Sequence, residues 1–266
     1  MQRRIFFLTI CILFMTLLLS ACAKDSPYDQ YVAAYQYIWE ADSFITEIVE
    51  SDFESRTLPD NTVEAYSFSG EIATQLVHTS DGYLSISDLL IYDDSGEILD
   101  LTTYYNGGWI YNHYNDAPEN NFRQLQNDDF AIKMAIEGVI DFPENTIAKQ
   151  TAEETDEGTL LTFELDSEKY YEYIYPPISD DYQYGVFSSY REPPLYTVLL
   201  DEQEHIKQVT GHFCTVNSDD RAFTRDHNYT VSFIQYGGVE LDLPELNDAD
   251  YPIYPDSQLG ENIGGF

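Results

Sequence analysis

The sequence predicts a mainly β domain with a few helices, in which one antiparallel sheet carries an N-terminal helix packed against it. Three observations predict it. A 3.6-residue aromatic and apolar stripe is confined to residues 28–39, the pattern shifts to a period of two from about residue 44, and turn signals separate the period-two runs. The composition narrows the function classes. In 266 residues, 12 Lys+Arg face 48 Asp+Glu, for a net charge of -36, with 23 Tyr and 15 Phe. Disordered acidic tracts are poor in aromatics, so the chain is expected to fold. Phosphate binding needs a cationic face, so nucleic acid is excluded as a partner. Polybasic attachment to anionic lipid fails for the same reason.

The first element is an export segment. Arg3-Arg4 precede an apolar run from Ile5 to Leu19, which ends Leu19-Ser20-Ala21-Cys22. A basic start, an apolar middle and a small-residue end is the layout of a secretory signal. The run is shorter than the ~20 residues a spanning helix needs. The four residues Leu19, Ser20, Ala21 and Cys22 resemble the lipobox of bacterial lipoproteins. That resemblance implies cleavage before Cys22, a diacylglyceryl group on its thiol, and attachment to a membrane at its extracytoplasmic face. Two or three acyl chains suffice for stable anchoring. Residues 1–21 are therefore expected to be a lipoprotein signal peptide and 22–26 a short lipidated tether. Loss of Arg3 and Arg4 leaves 10 basic residues against 48 acidic ones, a net of -38. With Cys22 acylated, Cys214 has no partner for a disulfide and is expected to be buried as a small hydrophobe.

Ser26-Pro27-Tyr28-Asp29 reads as a helix start, with Ser26 as N-cap, Pro27 at the first position and Asp29 at the third. Tyr31, Tyr35, Ile38 and Trp39 fall on one face and are expected to pack on the sheet, touching residues such as Phe68 and Ile72. Between Tyr66 and Leu76 the even positions form the covered face: Tyr66, Phe68, Gly70, Ile72, Thr74 and Leu76. Asp81-Gly82, Asp93 to Gly96, and Asn106-Gly107-Gly108 are turns between the strands Tyr83 to Tyr92, Ile98 to Tyr105, and Trp109 to Tyr114. A helix capped by Asn127 or Asp128 is expected over Phe130 to Phe142, ending before Pro143. Residues 143–158 read as polar connection. Then come a strand from Thr159 to Leu165, a short helix from Glu168 to Tyr175, and an irregular stretch over 178–194. Strands over Leu195 to Leu200, His205 to Val216 and around Tyr229, Val231 and Phe233 follow. The tail 244–266 is rich in turn residues.

This order of N-terminal helix, meander, helical insertion and second meander resembles the lipoprotein carriers of the LolA/LppX type, and small Gram-positive lipoproteins of that topology. The residues carrying the likeness are Tyr66-Ser67-Phe68-Ser69-Gly70-Glu71-Ile72, then Tyr104-Tyr105-Asn106-Gly107-Gly108-Trp109-Ile110-Tyr111, and Leu199 through Val209 with its acidic turn Asp201-Glu202-Gln203-Glu204. The resemblance spans about residues 27–243. It implies a single strongly curved antiparallel sheet, a half-barrel, with helices on its concave side. The alternative architecture is a β-sandwich of two sheets. The resemblance implies no catalytic motif. Its relatives hold acyl chains between sheet and helices.

Chemistry is sparse. The five histidines are scattered, and neither HExxH nor CxxC occurs. His212 and Cys214 are two apart in a strand and share a face. His227 is the third weak candidate ligand, should the next strand bring it to them. Ordinary sheet packing explains all three as well, so no metal and no cofactor are expected. No GxSxG-type setting for a serine nucleophile occurs. Acid pairs such as Asp128-Asp129, and the turn Asp93 to Glu97, lack calcium-loop spacing. The expectation is a non-enzymatic, membrane-anchored binding protein for an amphiphilic or hydrophobic ligand or a basic protein partner, with a Tyr-lined groove. Tyr31, Tyr35, Trp39, Phe68 and Ile72 are its candidate groove or packing residues. The rival is a structural or protein-interaction domain without a ligand cavity, and a secreted hydrolase ranks last.

Overall fold

The computed structural model describes residues 25–58, 60–174, 189–216 and 223–254. Helix α1 (Pro27–Glu40) opens with a capping box. Ser26 Oγ accepts from the Asp29 amide at 3.1 Å, and the Asp29 carboxylate accepts from the Ser26 amide at 3.2 Å. A run of strands follows: β1 (Ser43–Thr57), β2 (Val63–Thr79), β3 (Gly82–Asp93), β4 (Gly96–Asn106), β5 (Trp109–Tyr114) and β6 (Phe122–Leu125). Helix α2 (Asp128–Ala135) leads to β7 (Ile147–Thr155) and β8 (Gly158–Leu165). Helix α3 (Ser167–Ile174), the two-residue β9 (Ser189–Tyr190), β10 (Leu195–Leu200), β11 (Ile206–Val216) and β12 (Phe223–Tyr236) complete the described elements. None of the described helices is long and apolar enough to cross a membrane.

All described strands belong to one antiparallel sheet of order β6-β5-β4-β3-β2-β1-β12-β11-β10-β8-β7, with β9 joined to the far end of β11. The first and last strands pair in the middle, Ile48 opposite Val231 and Asp52 opposite His227. The two mid-chain strands, β6 and β7, therefore become its edges. Neither edge is left as a bare apolar template. Along β6, the amide of Arg123 donates to Pro252 O at 3.0 Å and the amide of Tyr254 to Arg123 O at 2.9 Å. Strand β7 presents Lys149, Glu153 and Glu154, all exposed.

This sheet corrects the expected half-barrel. It is open, with two separate edges, and is not strongly curved. The tail at β6 and the charged β7 leave no edge pair through which it would close. The sandwich alternative fails as well, since every described strand joins the same sheet. The helices are not nested in one hollow either: α1 packs on β7 and β8, whereas α2 packs on β2 and β3.

One face of the sheet is the core face. The segment from α2 to β7 lies across it. Tyr105 in β4 donates to Asp128 at 2.6 Å, and Thr46 in β1 donates to Ala135 O at 2.6 Å. Ile140 N donates to the Tyr196 hydroxyl in β10 at 3.1 Å. Phe142 packs edge-on against Phe163 in β8, with ring centres 5.4 Å apart. The crossover thus staples strands that are far apart in sequence.

The helix expected over Phe130 to Phe142 stops at Ala135. Ile136 is its C-cap, and Gly138 takes φ +90 in the turn that follows. A side chain there would meet the Tyr229 ring at 2.7 Å, so glycine is required both for the turn and for the approach. Residues 147–155, read from sequence as polar connection, form β7; its exposed edge position explains its lack of an apolar face.

Candidate functional site

Under α1 the core face is filled by rings. Tyr31 is 1% exposed and stacks on Phe142 with ring centres 5.3 Å apart. It meets Tyr196 edge-on at 5.7 Å and Phe163 at 5.7 Å. Its hydroxyl donates to Ile140 O and lies 3.1 Å from that of Tyr196. Burial pushes both phenols well above their usual range, so they stay neutral. This wing of the interior is packed with the chain's own aromatics, with polar tips satisfied locally.

Farther along the same face the lining turns from apolar to charged. Strand β1 places Phe44, Thr46 and Ile48 inward, and the same alternation continues into Glu50, Asp52 and Glu54. Asp52, 12% exposed at its side chain, takes a two-point ion pair from Arg225, with Nε–Oδ1 at 2.7 Å and Nη2–Oδ2 at 2.8 Å. His227 Nδ1 lies 3.0 Å from the same Oδ1. Burial pushes the Asp52 carboxyl up, but the hydrogen bonds from His227 and Arg225 outweigh it and hold the group down at about 2.

Glu50 sits over Gly70, where any side chain would approach its carboxylate to 2.7 Å. Burial raises its carboxyl above the usual range; the nearby His227 pulls the other way. Glu137, from the crossover, is raised too, first by the surrounding protein and then by Glu50. Beside this cluster the Tyr229 ring is held between two glycines, Gly211 beneath and Gly138 above. It stacks on Phe213 with ring centres 5.8 Å apart. The charged cluster neutralises itself in part, and what it does chemically is hold β1 to β12.

Among the described residues, no helix packs across the middle of the opposite face. Across it runs a row that the sequence did not reveal. Thr230, Thr210, Thr197, Thr162 and Thr151 stand side by side, one from each of β12, β11, β10, β8 and β7. The Thr197 and Thr210 hydroxyls are 2.5 Å apart. Cross-strand threonine pairs suit a sheet surface that faces water. Two shallow grooves adjoin this row. One, of about 350 Å³, is lined by Phe53, Ser67, Ser69, Tyr92, Asp94 and Asp226, among others. The second, of about 280 Å³, is lined by Val49, Thr210, His212 and Thr230, among others; both include Ser51 and Asn228.

The residues singled out from sequence are dispersed. Tyr31 lies in the ring cluster, and Tyr35 and Trp39 pack partly buried on α1, their rings 6.4 Å apart. Ile72 packs partly buried against the core, while Phe68 is exposed and lines the larger groove. Tyr66 is exposed as well, so the covered face of β2 begins only at Gly70. Phe68 is therefore not beneath α1, which packs at the other end of the sheet.

His212, Cys214 and His227 do not converge. The β11–β12 register sets His227 opposite Phe213, so it faces the core while His212 and Cys214 face away. His212 pairs with Asp226 at 3.0 Å and His227 with Asp52. Among the described residues no group of three or more His, Cys, Asp or Glu converges to hold a metal ion. Cys214 is buried and free, and burial pushes its thiol up. Leu19, Ser20, Ala21 and Cys22 lie outside the described residues, as do most of the irregular stretch 178–194 and the end of the tail.

No family model and no curated protein matches the chain. Solved structures give distant likenesses. A LolA superfamily protein from Nitrosomonas europaea aligns at 9% identity and a TM-score of 0.23, covering 84% of this chain and 96% of that one. A DUF1329 family protein from Desulfovibrio piger aligns at 12% identity and 0.23, covering 88% and 97%. DynF, from the dynemicin biosynthesis pathway of Micromonospora chersina, aligns at 8% and 0.21, covering 72% and 81%.

Proposed function

We propose that this chain is a membrane-anchored lipoprotein of the extracytoplasmic face that works by binding a protein partner rather than by catalysis. The observation that carries the reading is the division of the sheet. Among the described residues, one face is filled by the chain's own helices and rings, and the other is open across its centre with two grooves. A packed helix side favours an interaction domain over carriage of an amphiphile between sheet and helices. The polar groups that could have served catalysis are engaged in structural pairs: His227 and Arg225 with Asp52, and His212 with Asp226. The anchoring half of the proposal rests on Arg3-Arg4, the apolar run and Leu19-Ser20-Ala21-Cys22.

Intact-mass analysis of the membrane fraction tests the anchor. The expected product begins at Cys22 and carries acyl chains, and Cys22→Ala abolishes both the mass increment and membrane retention. An unmodified chain beginning elsewhere overturns it. Native mass spectrometry of the full chain, followed by organic extraction, tests the packed interior. A stoichiometric co-purifying amphiphile would overturn partner binding in favour of carriage.

A further inference from the structure

We infer that the open sheet face docks an extended basic segment of a partner protein, seated in the groove between Phe53 and Tyr92. This rests on the binding-protein reading and specifies its partner. The strand register places Glu47, Glu71, Asp88, Asp100 and Asp226 on that face. Three of the chain's cations are engaged elsewhere, and Lys149 lies on the open face at the β7 edge, across from Glu164. Arg225 holds Asp52 on the core face, Arg123 holds Asp248 near the β6 edge, and Lys207 holds Glu157 between turns. Asp226 pairs with His212, whereas Glu47, Glu71, Asp88 and Asp100 receive no ion pair from Arg225, Arg123 or Lys207, in a chain of net -36.

Apolar surface accompanies the charge. Phe53 is 49% exposed and Val49 is 54% exposed, although both lie in the central strand of the sheet. The larger groove is lined by Ser51, Ser67 and Ser69 together with the aromatic Phe53 and Tyr92. Asp94 and Asp226 also line it. A guanidinium or ammonium held against an aromatic face and a carboxylate gains from both. At about 350 Å³ the groove is near the small end of ligand clefts and takes side chains rather than a whole organic ligand. In an extended segment alternate side chains point the same way, so one basic residue can enter while the next lies along the threonine row.

Charge complementarity selects this occupant over others. A second copy brings another net -36 to the same surface, and nucleic acid or anionic headgroups are repelled in the same way.

The test uses the full chain in non-ionic detergent and a fluorescein-labelled peptide of five Arg-Ser repeats, with five Glu-Ser repeats as control. Binding is read by anisotropy. One variant combines Phe53→Ala, Asp94→Asn and Asp226→Asn. A second, Glu168→Gln with Glu202→Gln, removes the same number of charges away from the groove. Thermal unfolding of each establishes that it is folded. The groove variant should lose about tenfold or more in affinity, and the distant variant no more than about twofold. Equal losses in both variants would overturn the groove, because the acidic surface would then be acting as a whole. If both variants bind like the unaltered chain, the site lies elsewhere while the binding-protein reading stands. Failure of the unaltered chain to prefer the Arg-Ser peptide would overturn the basic partner itself, and the acylated mass of the chain would still report separately on anchoring.

Discussion

Replacing Asp52 by Asn removes the charge that joins the first strand to the last. In the folded chain its carboxyl is held at about 2, against the 3.8 of an ordinary aspartate. The sign follows from proton linkage. A depressed carboxylate contributes stability that is present above its unfolded value and disappears as pH falls through its folded value. The difference is just under two units, which at 1.36 kcal/mol per unit gives about 2 kcal/mol at pH 7. The side chain is 12% exposed, so solvent screening leaves most of that in place. By the same relation the contribution falls to near 1 kcal/mol at pH 3. Urea unfolding of the unaltered and Asp52→Asn chains over this range measures the gap directly. A gap below about 0.5 kcal/mol at pH 7 would show that Arg225 and His227 gain nothing from Asp52 beyond what water provides. A gap of full size at pH 3 would also refute the reasoning, because it would place the cause in packing rather than charge.

Glu50→Gln should stabilise the chain at neutral pH, since burial disfavours the carboxylate; the gain should vanish in acid, where the carboxyl is already protonated, and urea midpoints at two pH values check it. Gly211→Ala should destabilise by about 1–3 kcal/mol, because the added carbon would lie 2.3 Å from the Tyr229 ring; an unchanged thermal midpoint would mean that ring is free to move. Ser26→Ala removes the side-chain half of the capping box and should cost about 1 kcal/mol, with local fraying of α1 seen as faster amide exchange at Asp29.

Much of the element order was legible, and what escaped has physical causes. The cap at Ser26 announces α1 because capping chemistry is local, and the glycine and aspartate turns announce the meander for the same reason. Strand pairing between β1 and β12 is not local, and nothing in either strand's pattern names the other. The Asp52 cluster left a readable trace. An alternation that begins Phe44, Thr46, Ile48 and runs on into Glu50 and Asp52 puts acids on an apolar face, where acids need partners. Arg225 was the partner, but its match to Asp52 depends on that distant register. Tyr66 and Phe68 misled because aromatic side chains at the end of a long hairpin keep the period of a buried strand without being covered. The threonine row is invisible along the chain, since its members come from five different strands.

The charged end of the core face also determines how the whole domain responds to pH. Asp52 gives stability that is lost as pH falls below about 4 and toward 2. Glu50 and Glu137 work in the opposite sense. Their carboxyls are raised from 4.5, so the folded state holds those protons more tightly than the unfolded chain, and stability is lost as pH rises from that value through their folded ones. The 48 acids add a repulsion that grows over the same interval, with few cations to offset it. The three effects place the maximum of stability on the acid side of neutrality, above the range in which Asp52 protonates. A urea-midpoint scan from pH 3 to pH 8 should therefore rise, peak and decline before pH 7. Glu50→Gln should flatten the decline, and Asp52→Asn should flatten the rise. A midpoint that climbs steadily to pH 7 would mean that Glu50 and Glu137 ionise freely in the folded chain, and that the cluster beside Tyr229 is wetter than its packing implies.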